Sequence, residues 1–224
     1  AGAVAFSADT GKKVLHMDIG GGTSNLAWIE DGKIVKTGCL NVGGRLVKFS
    51  QSGAVQYLSP VLSGLTSMKP GDIPSKEERQ TLAEILTQAL EMAAGRRAKT
   101  YLLGKLMTEE AVQAWEPPGE PVVVSFSGGV ADCIGADFPD MQFGDLGPEL
   151  GRAIRNSSLC SGEYVLGAET IRATVIGAGC HSTQLSGSTV YHQNIRFPLK
   201  NLPVAEITRI PDISRKLAAQ GKLS

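Results

Sequence analysis

The sequence has no surplus of charge of either sign and no closely spaced cysteine pair. Its 224 residues include 22 Lys and Arg against 22 Asp and Glu, so the formal net charge at pH 7 is zero. A nucleic-acid-binding surface needs excess cations to neutralise phosphates, so this balance argues against a dedicated nucleic-acid binder. The four cysteines lie far apart without a C-x-x-C pair, which is typical of reduced thiols in an intracellular protein.

Long apolar runs and export signals are missing as well. No stretch approaches the ~18 consecutive apolar residues of a membrane-spanning helix, and the N-terminal residues lack the layout of a signal peptide. We therefore expect a cytoplasmic protein without a membrane span. With 42% hydrophobic and 20% charged residues, the chain can fill a core, which excludes wholesale disorder.

Glycine, by contrast, is abundant and clustered. The 27 glycines among 224 residues exceed the usual share of about 7%. Such clusters suit a ligand site built from loop backbone, because the missing side chains allow close approach. The sequence nevertheless contains neither G-x-x-x-x-G-K-[ST] nor G-x-G-x-x-G, the usual nucleotide fingerprints. The three scattered histidines argue against a histidine metal site.

Apolar runs separated by tight turns predict strands near the start of the chain. Residues Val14–Ile19, 23–29 and Lys33–Leu40 form three such runs, with glycines or an Asp-Gly pair between them. The short turns predict an antiparallel three-stranded meander. A further hairpin is compatible with residues 47–49 and 54–58, and residues 50–74 predict a loop or insertion.

A helix and a buried strand are predicted next. Ser75 followed by Glu78 is a capping-box pattern that opens a helix through Ala93. The apolar residues 122–126 indicate a buried central strand. With the meander, these elements predict a mixed α/β architecture, a mixed sheet flanked by helices.

The remaining elements are predicted from weaker signals. Gly128 and Gly129 precede a helix start, and Pro148 indicates a helix over residues 149–156. Further on, the pattern predicts a helix over 169–184, extended segments at 189–192 and 195–197, and a short terminal helix over 213–223.

The sharpest candidate site is the glycine bend between the first two strands. Asp18 closes the first strand, Gly20, Gly21 and Gly22 turn the chain, and Thr23 opens the next strand. Three successive glycines let backbone N–H groups surround an anion, and Asp18 is placed to hold a Mg²⁺-bound water. A tight hairpin turn would explain one or two glycines, but three flanked by Asp and Thr favour a phosphate cradle.

Other glycine pairs are less specific. Gly128 and Gly129 lie between a buried strand and a helix, where bare backbone can approach a nucleoside and the helix N-terminus favours negative charge. Close strand-to-helix packing explains this pair equally well. Gly43 and Gly44 follow the third strand and, taken alone, indicate a bend.

The motifs together resemble those of a known superfamily. Residues 18–25 resemble the second phosphate motif of the actin, sugar-kinase and heat-shock-chaperone superfamily, and residues 125–132 resemble its adenosine motif. More narrowly, the ordered segments DIGGGTSN, CLNVGGRL, SGGV, RATVIGAGCHS, LSGSTVY and LKNLPV resemble the ethanolamine ammonia-lyase reactivating factors (ethanolamine utilisation protein A). The resemblance extends over about residues 14–204.

The resemblance implies an actin-like, ribonuclease H-like fold of two lobes, with ATP or ADP and Mg²⁺ between them. Only thirteen residues precede the first strand, so this chain resembles the C-terminal lobe of a protein about twice as long. Residues 1–12 would then be a leader from the missing first lobe, residues 13–204 the lobe itself, and residues 205–224 a C-terminal tail.

The resemblance also assigns roles to site residues. Asp18 would orient the metal shell or the attacking water, in the catalytic position. The expected phosphate-binding residues are Gly20, Gly21, Gly22 and Thr23. The residues expected near the nucleoside and α-phosphate are Gly44, Gly128, Gly129 and Val130.

The function implied is that of an ATP-dependent reactivating chaperone. Its client would be ethanolamine ammonia-lyase, from which it releases damaged cobalamin, in the cytoplasm or with a bacterial microcompartment. Because the superfamily completes its hydrolytic site from the other lobe, little ATPase activity is expected from this chain alone. A small-molecule kinase and an actin-like scaffold on the same fold are the alternatives, and the oligomeric state is open.

Overall fold

The computed structural model describes residues 2–108, 115–118 and 122–167. Its strands form a five-stranded sheet, which helices flank, and a separate two-stranded sheet. In chain order the main elements are α1 (Ala3–Thr10), β1 (Val14–Ile19), β2 (Ser24–Glu30), β3 (Lys33–Leu40), β4 (Val47–Phe49), β5 (Val55–Leu58), α2 (Lys76–Ala93), α3 (Tyr101–Leu106), β6 (Val123–Ser127), α4 (Gly129–Gly135), α5 (Gly147–Arg155) and β7 (Tyr164–Leu166).

The first three strands form the predicted antiparallel meander. β1 pairs with β2, and β2 pairs with β3, both antiparallel. Alternation along β1 sends Leu15, Met17 and Ile19 into the main core, where each is fully buried. His16 and Asp18 lie on the opposite face of the same strand and are half-buried, because successive side chains of a strand point to opposite faces.

The sheet continues on the other side of β1 with parallel strands. β6 pairs with β1 in parallel, and β7 pairs with β6 in parallel, which gives the strand order β3-β2-β1-β6-β7. All five residues of β6 are buried, as expected of a central parallel strand covered on both faces. The predicted mixed sheet with flanking helices is therefore confirmed. A separate two-stranded sheet joins β4 to β5, at the predicted hairpin.

Helix α2 begins where the capping box was predicted. The Ser75 hydroxyl accepts a hydrogen bond from the Glu78 amide at 3.1 Å, and the Ser75 amide donates to the Glu78 carboxylate at 2.8 Å. Each bond satisfies a donor that the first turn of a helix leaves unpaired. The apolar face of α2, which includes Leu82, Leu86 and Leu90, is fully buried in the core.

Neither helix α1 nor strand β7 was predicted. Helix α1 occupies residues expected to be a leader, and β7 forms the second edge of the sheet. The side chains of α1 are mostly small, but buried Ser7 donates to the Lys12 carbonyl at 2.9 Å, and Gly11 ends the helix with φ +66°. Such a helix carries too weak an apolar period for detection. The elements predicted between residues 169 and 223 lie outside the described residues.

Within the described part of the chain, no helix is both long and apolar enough to cross a membrane.

The packing of α4 on α5 depends on a glycine. An ideal Cβ on Gly151 would lie 2.5 Å from the carbonyl carbon of Cys133, so the two helices approach closely only without a side chain there. By contrast, a Cβ on Gly104, in α3, would meet nothing within 4 Å. Substituting these two helical glycines therefore distinguishes the effect of packing on stability from the effect of helix propensity.

Gly151→Ala is expected to lower the free energy of unfolding by about 1–3 kcal/mol, because α4 and α5 must move apart. Gly104→Ala is the matched control and should raise it, by up to about 1 kcal/mol, since Ala is the better helix former. Urea unfolding of the two variants measures both changes. Equal stabilities would contradict the packing of α4 on α5 described above.

Candidate functional site

The sheet topology creates a crevice at the carboxyl ends of β1 and β6. These two strands are parallel neighbours, so Ile19 and Ser127 end at the same edge of the sheet. From that edge the chain leaves β1 toward β2 on one side and leaves β6 toward β7 on the other. In open α/β sheets, ligands bind where neighbouring connections diverge in this way.

A cavity of about 800 Å³ lies at this edge, within the range of small-molecule sites. Five of the predicted site residues line it, and four do not. The lining residues are Gly20, Gly21, Gly44, Gly129 and Val130. The other four are Asp18, Gly22, Thr23 and Gly128. The structure thus brings three separate glycine segments of the sequence to one cavity, and their role toward a nucleotide stays a prediction.

The glycine bend is held by its carbonyl groups. The Gly20 carbonyl accepts from the Gly44 amide at 3.1 Å, and the Gly21 carbonyl accepts from the Arg45 amide at 2.6 Å. Of the bend's amides, Gly20 donates to the Thr23 carbonyl at 2.9 Å. Within the described residues, the amides of Gly21, Gly22 and Thr23 donate to no backbone carbonyl. The bend therefore keeps free donors, as an anion cradle requires.

Two other glycines are required by close backbone approach. An ideal Cβ on Gly43 would lie 2.5 Å from the Gly21 carbonyl oxygen, and one on Gly128 would lie 2.7 Å from the Ile19 carbonyl carbon. Gly128 also has φ +85°, a conformation that favours glycine. Packing of β1 against the β6–α4 turn therefore accounts for Gly128. Gly129, with open space around it, is the member of the pair that lines the cavity.

Asp18 is fixed by a polar network that spans β1 and β6. The parallel register sets His16 beside Ser125 and Asp18 beside Ser127, and residues two apart share a face. The Ser127 hydroxyl donates to Asp18 Oδ1 at 2.9 Å and lies 3.0 Å from His16 Nε2. His16 Nδ1 lies 3.1 Å from the Ser125 hydroxyl. The four polar side chains form one continuous chain of hydrogen bonds.

The network determines the proton positions on His16. An ionised Asp18 carboxylate only accepts, so it takes the single hydroxyl proton of Ser127. Ser127 Oγ must then accept from His16 Nε2–H, and His16 Nδ1 accepts from the Ser125 hydroxyl. Burial lowers the pKa of His16, with Asp18 opposing the shift, and so favours this neutral imidazole. Asp18 Oδ2 makes no hydrogen bond within the described residues.

Asp18 fits a water-mediated role toward Mg²⁺. No three His, Cys, Asp or Glu side chains in the described ranges cluster in a way that could hold a metal ion. Mg²⁺ does not need such a cage, because it usually keeps several waters and takes one or two carboxylates plus phosphate oxygens. One oriented carboxylate beside the free amides of the bend would therefore be a sufficient protein contribution.

Sequence reasoning missed three charged residues that line the cavity. Arg45 follows Gly44, and its Nε lies 3.4 Å from Asp145 Oδ2. Asp132 lies in α4, where burial raises the pKa of its carboxyl group. Arg45 belongs to the segment CLNVGGRL and was detectable there. Asp145 lies 100 residues away along the chain, and no local signal links the two.

Thiol chemistry is not supported at this cavity. Cys133 lines it, but burial, reinforced by the nearby Asp145 and Asp132 carboxylates, raises the pKa of its thiol to about 11. Burial likewise raises the pKa of Cys160 to about 11. Both thiols stay protonated at neutral pH, and the thiolate is the reactive form.

His16→Gln is expected to reduce the loss of stability on acidification. Because the pKa of His16 is lower in the folded chain, the unfolded chain takes up the proton first as the pH falls below about 6.5. The neutral His16 side chain therefore contributes fully to the free energy of unfolding above pH about 6.5. This contribution is lost as the pH falls from there through the lower pKa of the folded chain. Urea unfolding of both proteins at about pH 7.5 and about pH 5.5 measures the difference. Identical pH dependences would contradict a buried neutral His16.

The chain matches one protein family over nearly its whole length. Residues 1–221 match the family model described as ethanolamine utilisation protein EutA. Two similar curated proteins are named ethanolamine ammonia-lyase reactivase EutA. The one from Salmonella typhimurium is 36% identical over 221 residues, and the one from Escherichia coli is 37% identical over 217 residues. Each alignment covers 92% of this chain and 44% of the relative, so the chain spans less than half the length of these proteins.

A solved structure gives a weaker likeness. The ethanolamine utilization protein EutJ from Carboxydothermus hydrogenoformans aligns with a TM-score of 0.33 and 20% identity, over 78% of this chain and 51% of that chain. The TM-score and the identity are too low to support an argument about fold or function. The family model, by contrast, agrees with the ordered motifs of the sequence, and the chain belongs to the EutA family of ethanolamine utilisation proteins.

Proposed function

We propose that this chain is the nucleotide-binding lobe of an ATP-dependent reactivating protein for ethanolamine ammonia-lyase. The observation that supports it best is the cavity of about 800 Å³ at the carboxyl edge of β1 and β6, lined by three glycine segments. The bend after β1, whose Gly21 lines this cavity, keeps free amides next to an oriented carboxylate. Relatives of the same family are named reactivases of that enzyme, which supplies the client.

The phosphates of ATP would bind at the glycine bend. The free amides of Gly21 and Gly22 would donate to phosphate oxygens, with the Thr23 hydroxyl as a further donor; Thr23 is exposed and makes no side-chain hydrogen bond within the described residues. Gly44 and Gly129 would allow the nucleoside to approach bare backbone. In this arrangement the chain contributes positioning and fixed dipoles, which supply most of the catalysis in phosphoryl transfer.

Asp18 would hold a water of the Mg²⁺ shell or the attacking water. Mg²⁺, when bound, would neutralise the negative charge of the phosphates. Ser127 keeps Asp18 Oδ1 occupied, so Oδ2 is the oxygen that faces a water. His16 and Ser125 hold Ser127 in turn. Rotation of the carboxylate is thereby restricted, as an orienting group requires.

Coupling to the client would come from closure of two lobes around the nucleotide. The chain spans 44% of the relatives' length, which is consistent with one lobe of a larger protein. A change in the client follows only if nucleotide and client both distinguish the open form from the closed form. Closure would then open the lyase, damaged cobalamin would leave, and intact coenzyme would enter. Hydrolysis by this lobe alone is expected to be slow.

The proposal predicts that full-length Asp18→Asn loses reactivation. Asn keeps an oxygen for the Ser127 hydroxyl but loses the negative charge, so reactivation should fall about 10- to 100-fold. The assay measures recovered activity of inactivated lyase with Mg-ATP and fresh coenzyme. Asp31→Asn is the matched control, because this exposed turn residue with φ +47° joins β2 to β3 at the opposite edge of the sheet.

Recovery by Asp18→Asn at the wild-type rate would overturn the role of Asp18. Absence of any recovery with the wild-type protein, with or without ATP, would overturn the reactivating function itself. Calorimetric titration of the wild-type protein and of Asp18→Asn with ATP shows whether lost reactivation is due to lost ATP binding.

A further inference from the structure

The cavity contains one cation among the described residues that line it. The Gly21 amide and other backbone donors carry partial charge only, whereas the side chains of Asp132 and Asp145 end in carboxyl groups. Within the described lining, a polyphosphate in this cavity would face two acidic side chains and a single basic one, Arg45. Among the described residues that line the cavity, Arg45 is therefore the side chain that can compensate charge on the ligand.

Arg45 is tied to the glycine bend through its backbone and stem. Its amide donates to the Gly21 carbonyl at 2.6 Å. Its side-chain methylenes lie along Gly21, since an ideal Cβ there would meet Arg45 Cδ at 3.1 Å and Cβ and Cγ at 3.4 Å. The base of the side chain is thus fixed at the bend, and only the guanidinium end is left to move.

The guanidinium itself is weakly held. Its Nε faces Asp145 Oδ2 at 3.4 Å, at the long end for a charge-assisted hydrogen bond. The two terminal nitrogens make no hydrogen bond within the described residues, and the Arg45 side chain is 67% exposed. A guanidinium that is this exposed and is held by one long hydrogen bond can readily exchange its partner for a better anion.

Asp145, by contrast, is firmly placed. Its side chain is only 9% exposed, and its Oδ1 accepts from the Gly147 amide at 2.9 Å, at the start of α5. The amide of Leu146, the residue directly after Asp145, donates to the Gly44 carbonyl at 2.9 Å. Asp145 is therefore a fixed partner, and Arg45 is the member of the pair that can leave.

We propose that Arg45 selects ligands by their phosphate charge, exchanging Asp145 for the phosphates of a bound nucleotide. This inference rests on the proposed nucleotide site. Leaving Asp145 has a cost that a ligand without phosphates cannot offset, whereas a diphosphate or triphosphate offers the bidentate oxygens that a guanidinium prefers. Arg45 is thus a specificity-determining residue, and Asp145 is its competitor in the empty site.

The test is calorimetric titration of the full-length protein with ADP and, separately, with adenosine. Arg45→Met should weaken ADP binding roughly 10- to 100-fold and leave adenosine binding unchanged. Asp145→Asn keeps an acceptor for the Gly147 amide and removes the competing charge, so ADP should bind roughly 2- to 10-fold more tightly. Lys48→Met is the matched control, because it removes one charge three residues away on β4, where Lys48 faces the Tyr57 ring.

The outcomes distinguish this inference from the proposed function. If the wild-type protein binds neither ADP nor adenosine, the nucleotide site is wrong. If it binds ADP and Arg45→Met binds ADP equally well, or loses adenosine in the same proportion, the selecting role of Arg45 is wrong. Arg45→Lys keeps the charge without the planar guanidinium, so its affinity for ADP should lie between those of the wild type and Arg45→Met. Circular dichroism checks that each variant is folded.

Discussion

The hydrogen bonds between the glycine bend and the Gly44–Arg45 segment determine what the site can do. They bind the carbonyl oxygens of Gly20 and Gly21, so the acceptors of the bend are directed to the neighbouring turn. The amides that follow are left as donors. If the bend were reversed, it would present oxygens to the cavity and repel an anion. The orientation of two peptide groups thus decides the sign of the local field.

Several parts of the fold maintain this contact. The buried hydroxyl of Ser24 donates to the Val42 carbonyl at 2.8 Å, which ties the start of β2 to the segment that carries Gly43. Gly43 has no side chain to push the two segments apart. On the other side, the β6–α4 turn packs against the end of β1 through Gly128. The bend is therefore held from both sides by packing of backbone on backbone.

Much of this fold follows from local patterns. The meander, the capping box of α2, the buried strand β6 and the helix opened by Pro148 each have a signal within a few residues. Helix α1 lacks one, because its buried face is made of small side chains such as Ala3 and Ser7. Its position depends on contacts with the sheet that no window of sequence contains.

The glycine segments of the candidate site could be predicted from the sequence, whereas its side-chain pairs could not. Asp18 and the bend are contiguous, so a short window of sequence contains both and suffices to propose them. The pairing of Ser127 with Asp18 depends on the parallel register of β1 and β6, and the pairing of Arg45 with Asp145 joins residues 100 positions apart. Such pairs are set by tertiary structure. A resemblance based on motifs supplied the family but not these interactions.

The proposed site depends above all on the amides of the bend binding the phosphates of a nucleotide. The most direct measurement is the ¹⁵N–¹H spectrum of selectively labelled full-length protein, titrated with Mg-ADP and with adenosine. Large shifts of the Gly21, Gly22 and Thr23 amide resonances are expected with Mg-ADP, and little change is expected with adenosine. Unchanged resonances under saturating Mg-ADP would contradict phosphate binding at the bend.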